Sequence, residues 1–200
     1  MKSLLKEIEA RVARAGTDPI WGYNHCRRVY TMARELARLE ELSYDPELLY
    51  IACLLDDIGL YKAYSHRKEP DHARRSSAVA GQLLRDGNLP ARNIQIILDA
   101  IEHHPPGSPI GASVEAALLK DAVALDYLGA VGVSRVLAMV GKEEDVPDIS
   151  AAIRHSEDLH ENIPGFLILE SSKQAARDRR NEKEDFVGNL RDTTMDLKIL

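Results

Sequence analysis

Residues 45–60 read DPELLYIACLLDDIGL. Asp45 is placed to cap a helix and Pro46 to open it, since the first helical N–H needs no intrahelical partner. The run has helical length, and Gly59 is its expected stop. Asp56 and Asp57 then fall in the last turn, where the helix dipole is negative and disfavours anions. The two carboxylates also repel each other. Leu54, Leu55, Ile58 and Leu60 imply largely dry surroundings, in which unpaired charge is costly. Something positive is expected beside the pair, and a divalent metal is the simplest candidate. The plainer alternative is two acids facing water at a fraying helix end. A matching set of ligand types elsewhere in the chain weighs against it.

Outward from this stretch the same helical period continues in both directions, with few clusters of β-branched residues. Helices are expected at about 2–15, 24–42, 46–57, 72–86, 91–103, 113–128, 130–141, 149–159 and 165–195. Gly16 and the Asp18-Pro19 step close the first, while Asp71 caps the fourth and Gly87 ends it. Pro105-Pro106-Gly107 stops the fifth, and Ser113 caps the sixth. No repeat, low-complexity tract or linker interrupts the pattern, so the fold class is all-α. The last helix is strongly charged, with Ile168, Leu169, Ala175, Phe186, Val187 and Leu190 as a sparse apolar face. Such a helix is laid over its own domain or shared with a second subunit, and self-association as a homodimer is expected from it.

With 200 residues, 44% of them hydrophobic, the chain can bury one good core, and a single domain is expected. A formal net charge of −6 and a pI near 5.7 argue against a general nucleic-acid grip. No apolar run is long enough to span a bilayer. The first 16 residues, MKSLLKEIEARVARAG, read as an amphipathic helix and not as a signal peptide. Cys26 and Cys53 are too few and isolated for a disulfide framework or a thiolate zinc site. A reduced, cytoplasmic protein without a membrane partner is the expectation, and any metal should be held by nitrogen and oxygen ligands.

Candidate ligands recur at helix ends and inward-looking positions: His25, Asp56, Asp57, His72, His103, His104 and Asp121. Histidine and carboxylate donors suit Mn, Fe, Zn, Ni or Co, and a shared carboxylate can bridge two ions. Each has a dull explanation when taken singly. His25 opens a helix, His72 follows a cap, and a His pair before Pro-Pro can serve the helix C-terminus as cations. Asp121 is harder to dismiss, because Leu118, Leu119, Ala122, Val123 and Leu125 surround it in sequence. His155 and His160 lie in a polar segment and read as surface residues. Gly129 and Gly132 read as aids to close helix packing, and Arg135 is a remote candidate for reaching the site.

Taken in order, these segments resemble the HD-domain superfamily of metal-dependent phosphohydrolases. NHCRRVYTMARELA is similar to that family's opening helix, with His25 at the first ligand. LLDDIG is similar to the doublet segment, usually LLHDIG, with Asp57 at its Asp. KDAVALDYLGAVGVSRVLA resembles DADRLDALGAIGIAR of small bacterial members regarded as nucleotide hydrolases or pyrophosphohydrolases. The tail ESSKQAARDRRNEKEDF is similar to the C-terminal helix of that group, so the likeness covers roughly residues 20–190. It implies one HD-type domain over 1–200, an all-α bundle with the metal-site core at about 20–140 and a C-terminal helical extension at about 145–200.

Two positions depart from the pattern. The doublet's His is Asp56, and the second acid of DADRLD is Val123. If the last ligand corresponds to the first acid, Asp121 supplies it; if to the second, this chain has lost it. His72 and the His103-His104 pair resemble the extra ligands of binuclear members. The resemblance thus implies one or two divalent ions (Mn, Fe, Mg, Zn, Ni or Co) activating water against a phosphorylated small molecule, a nucleotide by class. Asp57 would be the central ligand, and Asp56 a further ligand or a base. Arg28 and Lys62 are the preferred phosphate contacts, ahead of Arg67, Lys68, Arg74 and Arg75. Two rival readings stand beside this one. A binuclear site of the same fold can serve oxidation or nitrile hydration, and a degenerate site can leave a binding or regulatory module.

Overall fold

The protein is described from a computed structural model, which places residues 2–64 and 69–199. The helices are α1 (Lys2–Ala15), α2 (Tyr23–Leu39), α3 (Pro46–Leu55), α4 (His72–Asp86), α5 (Ala91–Glu102), α6 (Val114–Asp126), α7 (Gly129–Leu137), α8 (Ile149–Asn162) and α9 (Glu170–Thr193). Short 3-10 turns follow α3 at Ile58–Leu60 and α8 at Ile163–Phe166. Among the described residues there is no strand, so the fold is all-α as expected. The chain divides into two compact units, residues 1–123 and 124–200, with the boundary inside α6. No described helix is long and apolar enough to cross a membrane.

In the first unit α3 is the central element. Its sequence is apolar on every side, and a helix of that kind must be enclosed. It packs against α1, α2, α4 and α5. Leu49, Ile51, Leu54 and Leu55 have no solvent exposure, and each buried side chain of this kind contributes roughly 1.5–3 kcal/mol. The start of α3 is set as the sequence predicts. The Asp45 carboxylate accepts from the N–H groups of Glu47 and Leu48, and Pro46 occupies the first turn. A further tie was not foreseen: the buried Glu115 carboxylate, on α6, accepts the Asp45 N–H at 2.8 Å.

The end of α3 differs from expectation. The helix stops at Leu55, Asp56 is its C-cap, and Asp57 leads into the 3-10 turn. Gly59 does not supply the stop. Its place is dictated by close approach to α4, because a Cβ there would lie 2.7 Å from the Ser76 backbone nitrogen. Two α4 side chains then hold the glycine's peptide groups. Ser76 Oγ accepts the Gly59 N–H at 3.0 Å, and Arg75 Nε donates to the Gly59 carbonyl at 2.8 Å. The other shifts are small and local. α2 ends at Leu39 because Glu41 adopts a left-handed φ of 53°, and the Leu42 N–H turns back to the Ala37 carbonyl. α9 begins at Glu170, after the 3-10 turn that contains Pro164. Asp71, Gly87 and Ser113 cap as predicted.

In the second unit α7 packs against α8 and α9 around Val133, Val136, Ile153 and Val187. Here one reading is corrected: His160 is 3% exposed and not a surface residue. Its Nδ1 donates to the Ser156 carbonyl at 2.7 Å, so Nε2 is the acceptor for the Gly129 N–H at 2.8 Å. Polar neighbours in sequence hid this role, because the group that His160 serves is the orphan N-terminus of another helix. Gly129 itself has φ +69°, a left-handed backbone that favours glycine. Arg135 forms a buried ion pair with Asp126 at 3.0 Å and lies 4.1 Å over the Tyr127 ring. Arg179 donates to the Leu125 carbonyl.

Candidate metal centre

Five of the seven ligand candidates meet in the first unit. His25 comes from the first turn of α2, where it faces inward with only 1% exposure. Asp56 and Asp57 come from the break between α3 and the 3-10 turn, and both are buried. His72 opens α4 directly after its cap Asp71 and is half-buried. His104 follows the C-cap of α5 and is 2% exposed. Their donor atoms form two sets, His25–Asp56–Asp57 and Asp57–His72–His104, and within each set all lie within 4.8 Å of one another.

Asp57 is the shared member, and its two oxygens face different imidazoles. Oδ2 lies 3.5 Å from His25 Nε2, whereas Oδ1 lies 3.6 Å from His104 Nε2 and 3.9 Å from His72 Nε2. His25 Nε2 is also 3.7 Å from Asp56 Oδ2. Donors bound to one ion at about 2.0–2.2 Å sit roughly 3–4 Å apart, so these separations suit an interposed cation.

The hydrogen-bond pattern orients the donors. His104 Nδ1 donates to the Ile101 carbonyl at 2.6 Å, which leaves Nε2 to face Asp57. Asp56 Oδ1 accepts the Asp57 N–H at 2.8 Å. Its other oxygen, Oδ2, is buried with no hydrogen-bond partner among the described residues. A fully buried carboxylate oxygen in that state is a strong call for a cation. The neighbouring imidazoles partly answer the negative charge. Burial pushes the Asp57 carboxyl up, but the hydrogen bond and charge of His104, with His25 and His72, outweigh it and bring it to about 2. Burial likewise opposes the His104 imidazolium, while Asp57 and Asp56 raise its pKa above the ordinary value. His72 moves down, chiefly through burial. The surroundings are as dry as the flanking leucines imply. Burial lifts the Cys26 and Cys53 thiols and the Tyr61 hydroxyl well above their usual range.

The other two candidates are outside these two sets. The His103 Nδ1 donates to the Asp99 carbonyl at 2.8 Å and lies 3.1 Å from the Asp99 carboxylate. That carboxylate also accepts the N–H groups of Ala112 and Ser113, so His103 belongs to the joint between α5 and α6. Asp121 is fully buried on α6. Neither residue joins either ligand set.

Among the expected phosphate contacts, Arg28 is half-buried on α2, three residues beyond His25, and Lys62 is exposed just past the 3-10 turn. Arg74 is exposed beside Asp71, at 3.8 Å. Arg75 holds backbone instead, donating to the carbonyls of Gly59 and Glu69 at 2.8 Å each. Arg67 and Lys68 lie outside the described residues. Sequence reasoning missed Ser76 and Lys120, which secure the turns beside the candidate ligands, and Asp99, which secures the joint between α5 and α6. Only Lys120 had a signal, a cation within the apolar run ALLKDAVALD.

Similarity to known proteins adds the family. No curated protein shows a significant match to the chain. Several solved structures share the fold. A protein from Lactobacillus plantarum superposes with a TM-score of 0.70 at 20% identity, over 98% of each chain. A predicted HD superfamily hydrolase from an uncultured Thermotogales bacterium gives 0.64 at 23% identity, over 95% of this chain and 90% of its own. Bacillus subtilis YpgQ in complex with ADP gives 0.67 at 18% identity, over 94% and 97%. The HD domain profile matches residues 22–128, more than half of the 200-residue chain and the stretch that carries all five converging side chains. The chain belongs to the HD-domain family.

Proposed function

We propose that this protein is a metal-dependent hydrolase of a phosphate ester or anhydride, with a nucleotide as substrate. The observation that carries the reading is the Asp57 carboxylate, each oxygen of which faces its own set of donors. Imidazole nitrogens and carboxylate oxygens in this mixture fit Mn, Fe, Zn, Ni or Co. Divalent ions held there would supply an activated water nucleophile and Lewis-acid polarisation of the phosphoryl oxygen.

The chain's own residues do the rest. Asp57 joins the two sets, His25 and Asp56 complete one, and His72 and His104 complete the other. The Ile101 carbonyl holds the His104 ring in the tautomer that presents Nε2. Asp56 replaces the customary imidazole with an anion, which raises the negative charge of the first set and favours tight cation capture. Arg28 and Lys62 are the contacts for the substrate's phosphates, with the geminal donors of the guanidinium matching two phosphate oxygens. The complex of YpgQ with ADP supports a nucleotide.

A second reading rests on Val123. It stands where the resemblance places a further acid, and it is apolar and 3% exposed. A scaffold that binds metal and nucleotide without turnover follows if that acid is indispensable. Release of phosphate or pyrophosphate from nucleoside mono-, di- and triphosphates, with Mn or Mg present, separates the two. Turnover by the native chain, reduced to background in Asp57→Asn, is the expected result. Silence across the panel from metal-loaded protein supports the binding module.

A further inference from the structure

The Lys120 ammonium is 2% exposed, within the unit that carries the candidate metal centre, yet it belongs to neither ligand set. An isolated cation so placed is costly unless its hydrogens are all used. Here they are. Nζ donates to the Pro105 carbonyl at 2.7 Å, the Ser108 carbonyl at 2.8 Å and Ser108 Oγ at 3.0 Å. Burial lowers the Lys120 pKa, with Asp121 pulling the other way.

What those acceptors have in common is their place in the chain. They belong to the turn that begins immediately after His104. Ser108 Oγ closes the turn on itself, lying 2.7 Å from both the His103 and Pro105 carbonyls, and the Ser108 N–H returns to Pro105 at 3.0 Å. His104 is therefore held from two helices: its ring by the Ile101 carbonyl of α5, and the turn that follows it by Lys120 of α6. The rings of Pro105 and Pro106 restrict φ but have no N–H with which to tie the turn to a neighbouring helix. Lys120 supplies such a tie through the Pro105 and Ser108 carbonyls.

We propose that Lys120 is a positioning residue for His104: it clamps the 105–108 turn against α6 and so sets the imidazole opposite Asp57 Oδ1. The inference deepens the reading of Asp57, His72 and His104 as one cation's ligands and rests on it. Partners of this kind, one bond removed from a ligand, typically change metal affinity by about 10–100-fold when lost.

Cobalt(II) serves as the probe, because its visible absorption reports ligand geometry and calorimetry reports each binding event. The metal-depleted full-length protein is titrated alongside Lys120→Met, Ser108→Ala and His104→Ala. The native chain is expected to bind two ions, and His104→Ala to lose one of them. Lys120→Met, which keeps the length and apolar stem, weakens that same ion at least tenfold and alters its spectrum. It leaves the other ion unchanged. Ser108→Ala removes one of the clamp's acceptors without uncovering a charge, and it weakens the same ion less. If Lys120→Met fails to fold, Ser108→Ala decides, and native affinity in it overturns the proposal. Native affinity and spectrum in a folded Lys120→Met overturn it as well, while leaving the metal centre intact. No cobalt binding by the native chain overturns the metal centre and the clamp together.

Discussion

Asp56 sets two demands against each other. Its Oδ1 is occupied by the Asp57 N–H, while the buried Oδ2 has no hydrogen-bond partner among the described residues. A carboxylate in that position destabilises the protein without metal and strengthens the hold on any cation that arrives. Asp56→Asn separates the two effects, since the amide oxygen can still accept the Asp57 N–H while the charge is gone. Without metal the variant should be more stable than the native chain by about 1–3 kcal/mol, because a buried charge costs more than a neutral amide in the same place. Its affinity for Mn should nonetheless fall at least tenfold. Chemical denaturation of the metal-depleted proteins and calorimetric titration measure the two quantities. Equal affinity in both proteins would remove Asp56 from the ligand set and leave it a structural acid. At this scale the sequence is informative because the clue is local. Two adjacent acids among leucines are conspicuous whatever lies across the fold. The choice between His103 and His104 is different. Both share one helix end, and only the turn geometry sends one toward Asp57 and the other to Asp99.

At the scale of helices, the signals that depend on neighbouring residues were readable and those that depend on another helix were not. Asp45, Asp71 and Ser113 cap where their spacing places them, because capping is a contact between residues two or three apart. Gly59 has the look of a helix stop, but the reason for it is the approach of α4 to within 2.7 Å of a would-be Cβ. His160 is the sharper case, since its acceptor nitrogen caps α7 from α8. Burial is the largest influence on this imidazole and pushes its pKa below the ordinary 6.5, with Lys183 and Arg180 adding to it. The folded form therefore holds the neutral ring and the unfolded chain binds the proton more readily. The stability from this group is complete above about pH 6.5 and is lost as pH falls through the lowered folded value. His160→Gln keeps an acceptor for Gly129 but cannot titrate. Between pH 7.5 and 5.5 the native protein should lose more thermal stability than the variant, followed by circular dichroism at matched ionic strength. Parallel curves for the two proteins would show that the ring binds its proton equally well in the folded and unfolded chain.

For the whole molecule the partition into residues 1–123 and 124–200 gives metal binding a defined reach. All five converging side chains lie in the first unit, on α2, the α3 break, the first turn of α4 and the end of α5. A cation held by donors from four separate segments must stabilise their common arrangement, because those segments are not assembled in the unfolded chain. At a free metal concentration of 100 times Kd the gain is about 2.7 kcal/mol, equivalent to roughly 100-fold slower exchange of amides that open only when the site does. Hydrogen exchange of the metal-depleted and Mn-loaded full chain should show this protection in α2, α3 and the starts and ends of α4 and α5 that bear His72 and His104. The amides of α8 and of α9 beyond Ala176, which are packed in the second unit, should exchange at the same rate in both samples. Protection spread evenly over both units would mean that they open together and that the metal steadies one cooperative body. Protection confined to α8 and α9 would place the bound ion away from Asp57 altogether. The pattern of slowed amides thus locates the cation by the segments it joins, without any need for turnover.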